Sequence, residues 1–324
     1  MKAFCREKGL TLKENGKVIV TKGPEELEGL HQLKQRADSS GASARIIDTI
    51  ELLEIEPYAA TCEKALYSPD TAVIQPMEVL FALADEIERS GCAKLICGES
   101  FLRVDRDRVA RTSNGSVSYE HFINAAGAFA DKIAHLFGVG LEYKILPFKG
   151  TYKCLRQPRR KLVRGSIYPV PDLRNPFLGV HFTRSADDRV YVGPTAIHAF
   201  GRENYGSFRG MGPETAVILY RDAVLLLKNS GFRSAALSEP KKVFKRFVYA
   251  EAKKLIPELQ QQDLEDTDKV GIRAQLVHWP SKQLVTDFVM LRGDRSLHIL
   301  NAISPAFTTS ISFARRAVDT FIEQ

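Results

Sequence analysis

Residues 121–131 read His-Phe-Ile-Asn-Ala-Ala-Gly-Ala-Phe-Ala-Asp, an apolar strand that runs into small residues, a glycine and then a helix through Phe137. This is the pattern of a strand–turn–helix corner in an α/β nucleotide-binding sheet, where small residues let a backbone or a ligand approach closely. Elements upstream suit such a sheet. Residues 24–37 read as a helix with Pro24 in the first turn and Leu27, Leu30 and Leu33 on one face. Residues 76–90 read as a second helix, with Val79, Leu80, Leu83 and Ile87 as its buried stripe. Residues 94–97 read as a short strand, and residues 109–111 and 117–119 as a hairpin around Asn114-Gly115.

The character changes over residues 145–210, which are rich in Pro, Gly, Tyr and Phe and hold short β-like runs at 151–155, 179–183 and 190–192. These runs imply an antiparallel second domain. Helices follow at 213–230, with Val217, Leu219, Val224 and Leu226 as the apolar stripe, and at 239–255. Strands follow at 271–277, 287–291 and 297–300, and a last helix runs through Ile322. The expected class is α/β (α+β).

With 324 residues and 44% apolar side chains the chain can bury a substantial core, which excludes a disordered or collagen-like chain. The net charge of +7 favours an anionic partner, a carboxylate substrate or a phosphate-bearing cofactor among them. The tight basic cluster at residues 156–161 reads as a solvated loop, and without an aromatic motif or a binding fold beside it no nucleic-acid partner is expected. Five cysteines, odd in number and without C-x-x-C, suggest free thiols in a reducing compartment and no metal site. The start lacks a hydrophobic signal core and no apolar run is long enough to span a bilayer, so a soluble, cytoplasmic protein is expected, with peripheral membrane contact left open.

Several stretches carry a resemblance. They are Phe4-Cys5 through Gly16-Lys17-Val-Ile-Val20, Asn124-Ala-Ala-Gly127-Ala-Phe-Ala-Asp131 and Pro147-Phe148-Lys149-Gly150-x-Tyr152. With them go Ile167-Tyr-Pro-Val-Pro-Asp172, Pro176-Phe-Leu-Gly-Val-His181-Phe-Thr183, Val192-Gly193-Pro194-x-Ala196, Gly271-Ile-Arg273-Ala-Gln275 and Asn301-Ala-x-Ser304-Pro305. In this order they resemble the FAD-dependent oxidoreductases of the D-amino-acid-oxidase-like superfamily, most closely the branch that oxidises L-2-hydroxyglutarate. The resemblance implies an incomplete FAD-binding Rossmann-like domain (mainly residues 23–143 and 291–324) interleaved with an antiparallel β-sheet substrate domain (mainly 1–22 and 144–290). It implies FAD as cofactor, a 2-hydroxy dicarboxylate as substrate, and oxygen or a quinone as electron acceptor.

One feature of that superfamily has no counterpart. Its chains open with a strand and G-x-G-x-x-G, whose glycines bring the pyrophosphate to a helix N-terminus. Here Gly138-Val-Gly140 and Gly210-Met-Gly212 lack the third glycine and the preceding strand. A first βαβ unit of roughly 30 residues is expected to be missing, through truncation or a start assigned too late. A cofactor-free remnant with a binding role or none is the alternative. An amino-acid oxidase of the same superfamily is another.

Oxidising a 2-hydroxy dicarboxylate calls for cations at the carboxylates and a base near the hydroxyl. Arg273, amid apolar residues of a strand, is either a carboxylate clamp or half of a structural ion pair. The resemblance favours the clamp. His181, alternating with apolar neighbours, is either a hydrogen-bonded core residue or the group that takes or holds the substrate's hydroxyl proton. Lys149 stands where the resembled family has arginine, so a contact there keeps charge without the fork; a surface lysine is the other reading. Tyr152 reads as packing beside the substrate. Ala126, Gly127, Ala128 and Asp131 are expected at one corner of the cofactor. Ser304, Pro305, Ala306, Thr308 and Thr309, at the start of the last helix, are expected at the flavin's electron-rich edge; Asp131 and the Ser-Pro start equally suit plain helix-start roles.

Overall fold

A computed structural model describes residues 1–171, 179–207, 209–238 and 244–322. Asp172 and residues 176–178 of the motifs above, and residues 239–243 of the expected helix, lie outside the described residues.

Alternating apolar residues build one large mixed sheet. From edge to edge it runs Gln283–Leu284, Leu264–His278, Tyr143–Leu155, Val190–Gly193, His181–Arg184, Ser166–Pro169, Lys17–Val20, Ala65–Ser68 and Arg45–Ile47; Ile197–His198 pairs with Tyr143–Leu155 off that path. Ser166–Pro169 and Lys17–Val20 run parallel, and the neighbouring pairs are antiparallel. The sheet therefore takes in two strands, Arg45–Ile47 and Ala65–Ser68, from the stretch expected in the cofactor domain. Helix Leu27–Ser39 comes with them, burying Leu30 against Leu66 and Val170.

On one face Val18, Val20, Ile167, Phe182, Val190 and Val192 bury themselves under Val248, Ala252 and Leu255 of helix Lys245–Leu255. Burying each such large apolar side chain contributes about 1.5–3 kcal/mol. On the opposite face helices Glu214–Lys228 and Ser230–Ser238 cover Leu146, Phe148 and Val277 through Ile218, Leu225 and Phe232. The buried set of the first of these helices is thus Ile218, Asp222 and Leu225, and the expected stripe is displaced: Val217 is 43% exposed and Leu219 48%. Asp222 lies on the inner face, with His198 Nδ1 3.2 Å from its carboxylate.

The second layer is a three-stranded sheet, Val289–Gly293, Ser296–Asn301 and Phe122–Asn124, backed by helix Ala130–Leu136. Its core of Ala130, Ala134 and Leu300 is continuous with Ile145 and Leu276 of the large sheet. The hairpin around Asn114-Gly115 forms, with Phe101–Asp105 as a third strand. Residues 94–97 form no strand. A strand needs a neighbour for its hydrogen bonds, and among the described residues none lies alongside; Leu95 and Ile96 remain exposed. In helix Pro76–Arg89 only Val79 is buried; Leu80 of the expected stripe faces outward, and Leu83 and Ile87 are half-buried.

The basic cluster is not simply solvated. Arg156 Nη2 and Arg159 Nε lie 3.0 and 3.1 Å from the carboxylate of fully buried Asp263, and Arg159 also donates to the Glu258 carbonyl. All five cysteines are free. No helix among the described residues is long and apolar enough to cross a membrane.

Candidate active site

Two regions bring the expected site residues together. The first is the end of the small sheet. Phe122–Asn124 and Ser296–Asn301 are adjacent parallel strands, so their carboxyl ends open at the same side. One strand leads into the Gly127–Phe129 turn and helix Ala130–Leu136; the other leads to Ser304 and helix Ala306–Ile322. The carboxyl ends of parallel strands are where α/β sheets bind ligands. Ala126 and Ala128 are half-exposed and Gly127 exposed. Gly127 holds φ at +53°, a value disfavoured for residues with a Cβ, and nothing lies within 4 Å of where a Cβ would be. The glycine is thus required by backbone conformation, and the space above it is open. Buried Asn124 fixes the turn: its Oδ1 accepts from Ala126 N (3.2 Å) and its Nδ2 donates to Ala130 O (2.8 Å). Ser304, Pro305, Thr308 and Thr309 are exposed and Ala306 half-buried; both threonine hydroxyls donate back to Pro305 O, at 3.0 and 3.2 Å.

Asp131 does not face that opening. It is buried, and its carboxylate accepts from Ile145 N (2.9 Å), Lys132 N (2.8 Å) and the guanidinium of buried Arg202. Arg202 in turn donates to Ala128 O and, through Nε, to Glu214 Oε1 at 2.9 Å. Asp131 therefore ties the corner to the large sheet and has no lone pair turned toward a cofactor. Breaking a buried ion pair outright costs roughly 3–5 kcal/mol. D131N, which leaves Glu214 beside Arg202, is expected to lower unfolding stability by about 2–3 kcal/mol. Urea denaturation checks this, and an unchanged midpoint would refute it.

The second region lies on the face of the large sheet turned away from helix Lys245–Leu255. Tyr168 stacks on His181 with ring centroids 3.9 Å apart and 17° between planes, and Lys17 Nζ lies 5.5 Å from the centre of the Tyr168 ring. Arg273, on the long strand Leu264–His278 three places away from the His181 strand in the sheet, acts electrostatically on both His181 and Tyr152. Tyr152 packs edge-on against Tyr191 at 6.2 Å, with Lys269 3.7 Å from the Tyr191 ring centre. Arg273 is half-buried and makes no ion pair or hydrogen bond among the described residues. The structural-pair reading of this arginine therefore has no partner here.

His181 is buried. Its Nδ1 lies 2.9 Å from the Gly179 carbonyl, which can only accept, so Nδ1 carries the proton. Burial, with Arg273 and Lys17 adding positive charge, pushes its pKa down to about 4. The ring is therefore neutral near pH 7 and presents a lone pair on Nε2, the form a proton acceptor requires. Burial also raises the Tyr152 and Tyr168 phenols, keeping them protonated.

Lys149 is not part of this face. Arg273 pairs in register with Phe148 and Lys149 with Ile272, and side chains on successive strand residues point to opposite faces. Its ammonium instead donates to Gly206 O at 2.7 Å. Lys17 and Tyr168 are site-face residues that the sequence reading did not single out. Their signal was alternation: Lys17 and Ile19 alternate with buried Val18 and Val20, and Tyr168 follows buried Ile167.

These two regions define a class of protein. The family model for FAD dependent oxidoreductases matches residues 1–320, and the chain belongs to that family. Among its relatives is the mitochondrial L-2-hydroxyglutarate dehydrogenase of Bos taurus, 31% identical over 98% of this chain and 72% of that protein. The L-2-hydroxyglutarate dehydrogenase of Indibacter alkaliphilus is 33% identical over 95% of this chain and 78% of that one. The fold is shared with L-alpha-glycerophosphate oxidase from Mycoplasma pneumoniae, solved with FAD bound: TM-score 0.69, 17% identity, 96% of this chain and 74% of that chain. It is shared also with L-proline dehydrogenase from P. horikoshii: TM-score 0.68, 15% identity, 99% of this chain and 76% of that one.

The residues present fit the ring end of FAD: an open turn over Gly127 stands at the carboxyl ends of a parallel strand pair. The pyrophosphate end is different. Among the described residues there is no strand and glycine-rich turn of the G-x-G-x-x-G kind, and the outer edge of Phe122–Asn124 has no partner strand. Ile123 and Leu136 beside that edge are 44% and 49% exposed.

Proposed function

We propose that this FAD-dependent oxidoreductase oxidises L-2-hydroxyglutarate to 2-oxoglutarate. The observation that carries the reading is Arg273, a half-buried cation with no partner among the described residues, on the same sheet face as a neutral histidine. The names of the relatives, L-2-hydroxyglutarate dehydrogenases of animals and bacteria, support the substrate. Arg273 holds the carboxylate next to the hydroxyl in a two-pronged contact. His181 Nε2 takes the hydroxyl proton as the carbon gives up its hydrogen with the bonding pair, and the C–O bond becomes a carbonyl. A bound FAD supplies the two-electron acceptor. Tyr168, stacked on His181, holds the imidazole plane, and Tyr152 closes the face beside Arg273.

Ala126, Gly127, Ala128 and the Ser304–Thr309 helix start are the residues proposed to meet the flavin ring. Electrons then pass to oxygen or to a quinone; a quinone would place the protein against a membrane surface. The test is turnover with added FAD and an artificial electron acceptor. L-2-hydroxyglutarate is expected to be oxidised and D-2-hydroxyglutarate and L-glutamate not. Turnover of L-glutamate in place of the hydroxy acid would move the substrate to the amino-acid oxidases.

A further inference from the structure

The proposed reading uses one cation for the carboxylate beside the hydroxyl, yet its substrate carries two carboxylates. Besides Arg273 the face carries Lys269, over the Tyr152 and Tyr191 rings, and Lys17, the one of the two lysines whose charge acts on His181. It stands on strand Lys17–Val20, and its neighbour Ser166–Pro169 is held close by Gly165, where a Cβ would lie 2.2 Å from the Asn15 carbonyl oxygen. That close approach sets the Lys17 ammonium over the Tyr168 ring. Lys13 has Asp188, Lys22 has Glu26 and Lys153 has Asp266, whereas Lys269 lies over the Tyr191 ring. Lys17 has no ion pair or hydrogen bond among the described residues. Burial disfavours its charge, and no carboxylate offsets that. In the strand order the Lys17 strand lies two places to one side of the His181 strand, and the Arg273 strand three places to the other. The side-chain charges that act on His181 are Arg273 and Lys17, both cations. A desolvated cation left without an acid is stabilised by an anion from solution.

We propose that Lys17 receives the substrate carboxylate remote from the hydroxyl, and so gives the site its preference for dicarboxylates over the monocarboxylates that lack that second carboxyl group. This rests on the dicarboxylate reading above. A hydrogen bond to a charged group of this kind corresponds to about 10- to 100-fold in affinity.

The test measures binding of glutarate and butyrate, which have no hydroxyl to react, to the full chain by calorimetry. Wild type is expected to bind glutarate about 10- to 100-fold more tightly than butyrate. K17M and K17Q are expected to bind both alike, with butyrate affinity unchanged, and K17R to keep the preference. R273M should weaken both ligands. Thermal unfolding without ligand checks that each variant is folded. A glutarate preference that survives in folded K17M or K17Q overturns the assignment of Lys17. Wild type that does not distinguish the two acids overturns the dicarboxylate reading itself, and Lys17 with it.

Discussion

H181N is expected to lower kcat for L-2-hydroxyglutarate by about 100- to 10,000-fold, the usual contribution of a positioned general base. Asparagine approximates the near half of the imidazole and can still donate to Gly179 O, so the strand should keep its form. What disappears is the lone pair on Nε2. The pH dependence gives a second readout. With a pKa of about 4 the wild-type base is unprotonated at neutral pH, so kcat/KM should be flat through the neutral range and fall as pH drops through about 4. The residual activity of H181N should lack that acid limb. A wild-type profile that breaks near the ordinary histidine value of 6.5 instead would mean that the ring is not desolvated as the structure has it.

R273M is expected to lower kcat/KM by about 100- to 1,000-fold, mostly through KM, because a carboxylate clamp acts on bound substrate and transition state alike. R273K should recover only part of the loss, since lysine keeps the charge and gives up the two-pronged fork. The contrast separates a clamp from a structural role. Arg273 has no ion-pair partner to lose among the described residues, so R273M should unfold at close to the wild-type midpoint. A variant that loses several kcal/mol of stability, with KM little changed in what remains folded, would assign Arg273 to the scaffold.

The corner at residues 121–137 was legible because everything that shapes it is local: an apolar strand, small residues and one glycine whose φ is positive. His181 and Arg273 were legible as polar residues alternating with apolar ones, and both lie on the sheet. The misreadings concern partners far along the chain. The guanidinium that occupies Asp131 comes from Arg202, 71 residues away, and no local pattern announces it. Lys149 is expected at the substrate from its place in the Pro147–Tyr152 stretch, whereas the register that pairs Phe148 with Arg273 puts it on the other face, and a shift of one residue would have reversed that. The inner face of helix Glu214–Lys228 was misjudged because both of its sides carry apolar residues, and the partners at Leu146 and Phe148 choose between them. Residues 94–97 have a strand's composition but no neighbour to pair with among the described residues.

The most direct measurement is an anaerobic titration of the purified protein, supplied with FAD, with L-2-hydroxyglutarate while the flavin's visible bands are followed. Loss of those bands with the L enantiomer, formation of 2-oxoglutarate in equal amount, and no response to the D enantiomer are the expected result. Flavin bands that persist unchanged in excess L-2-hydroxyglutarate would contradict the assignment of Arg273 and His181 to hydroxy-acid oxidation.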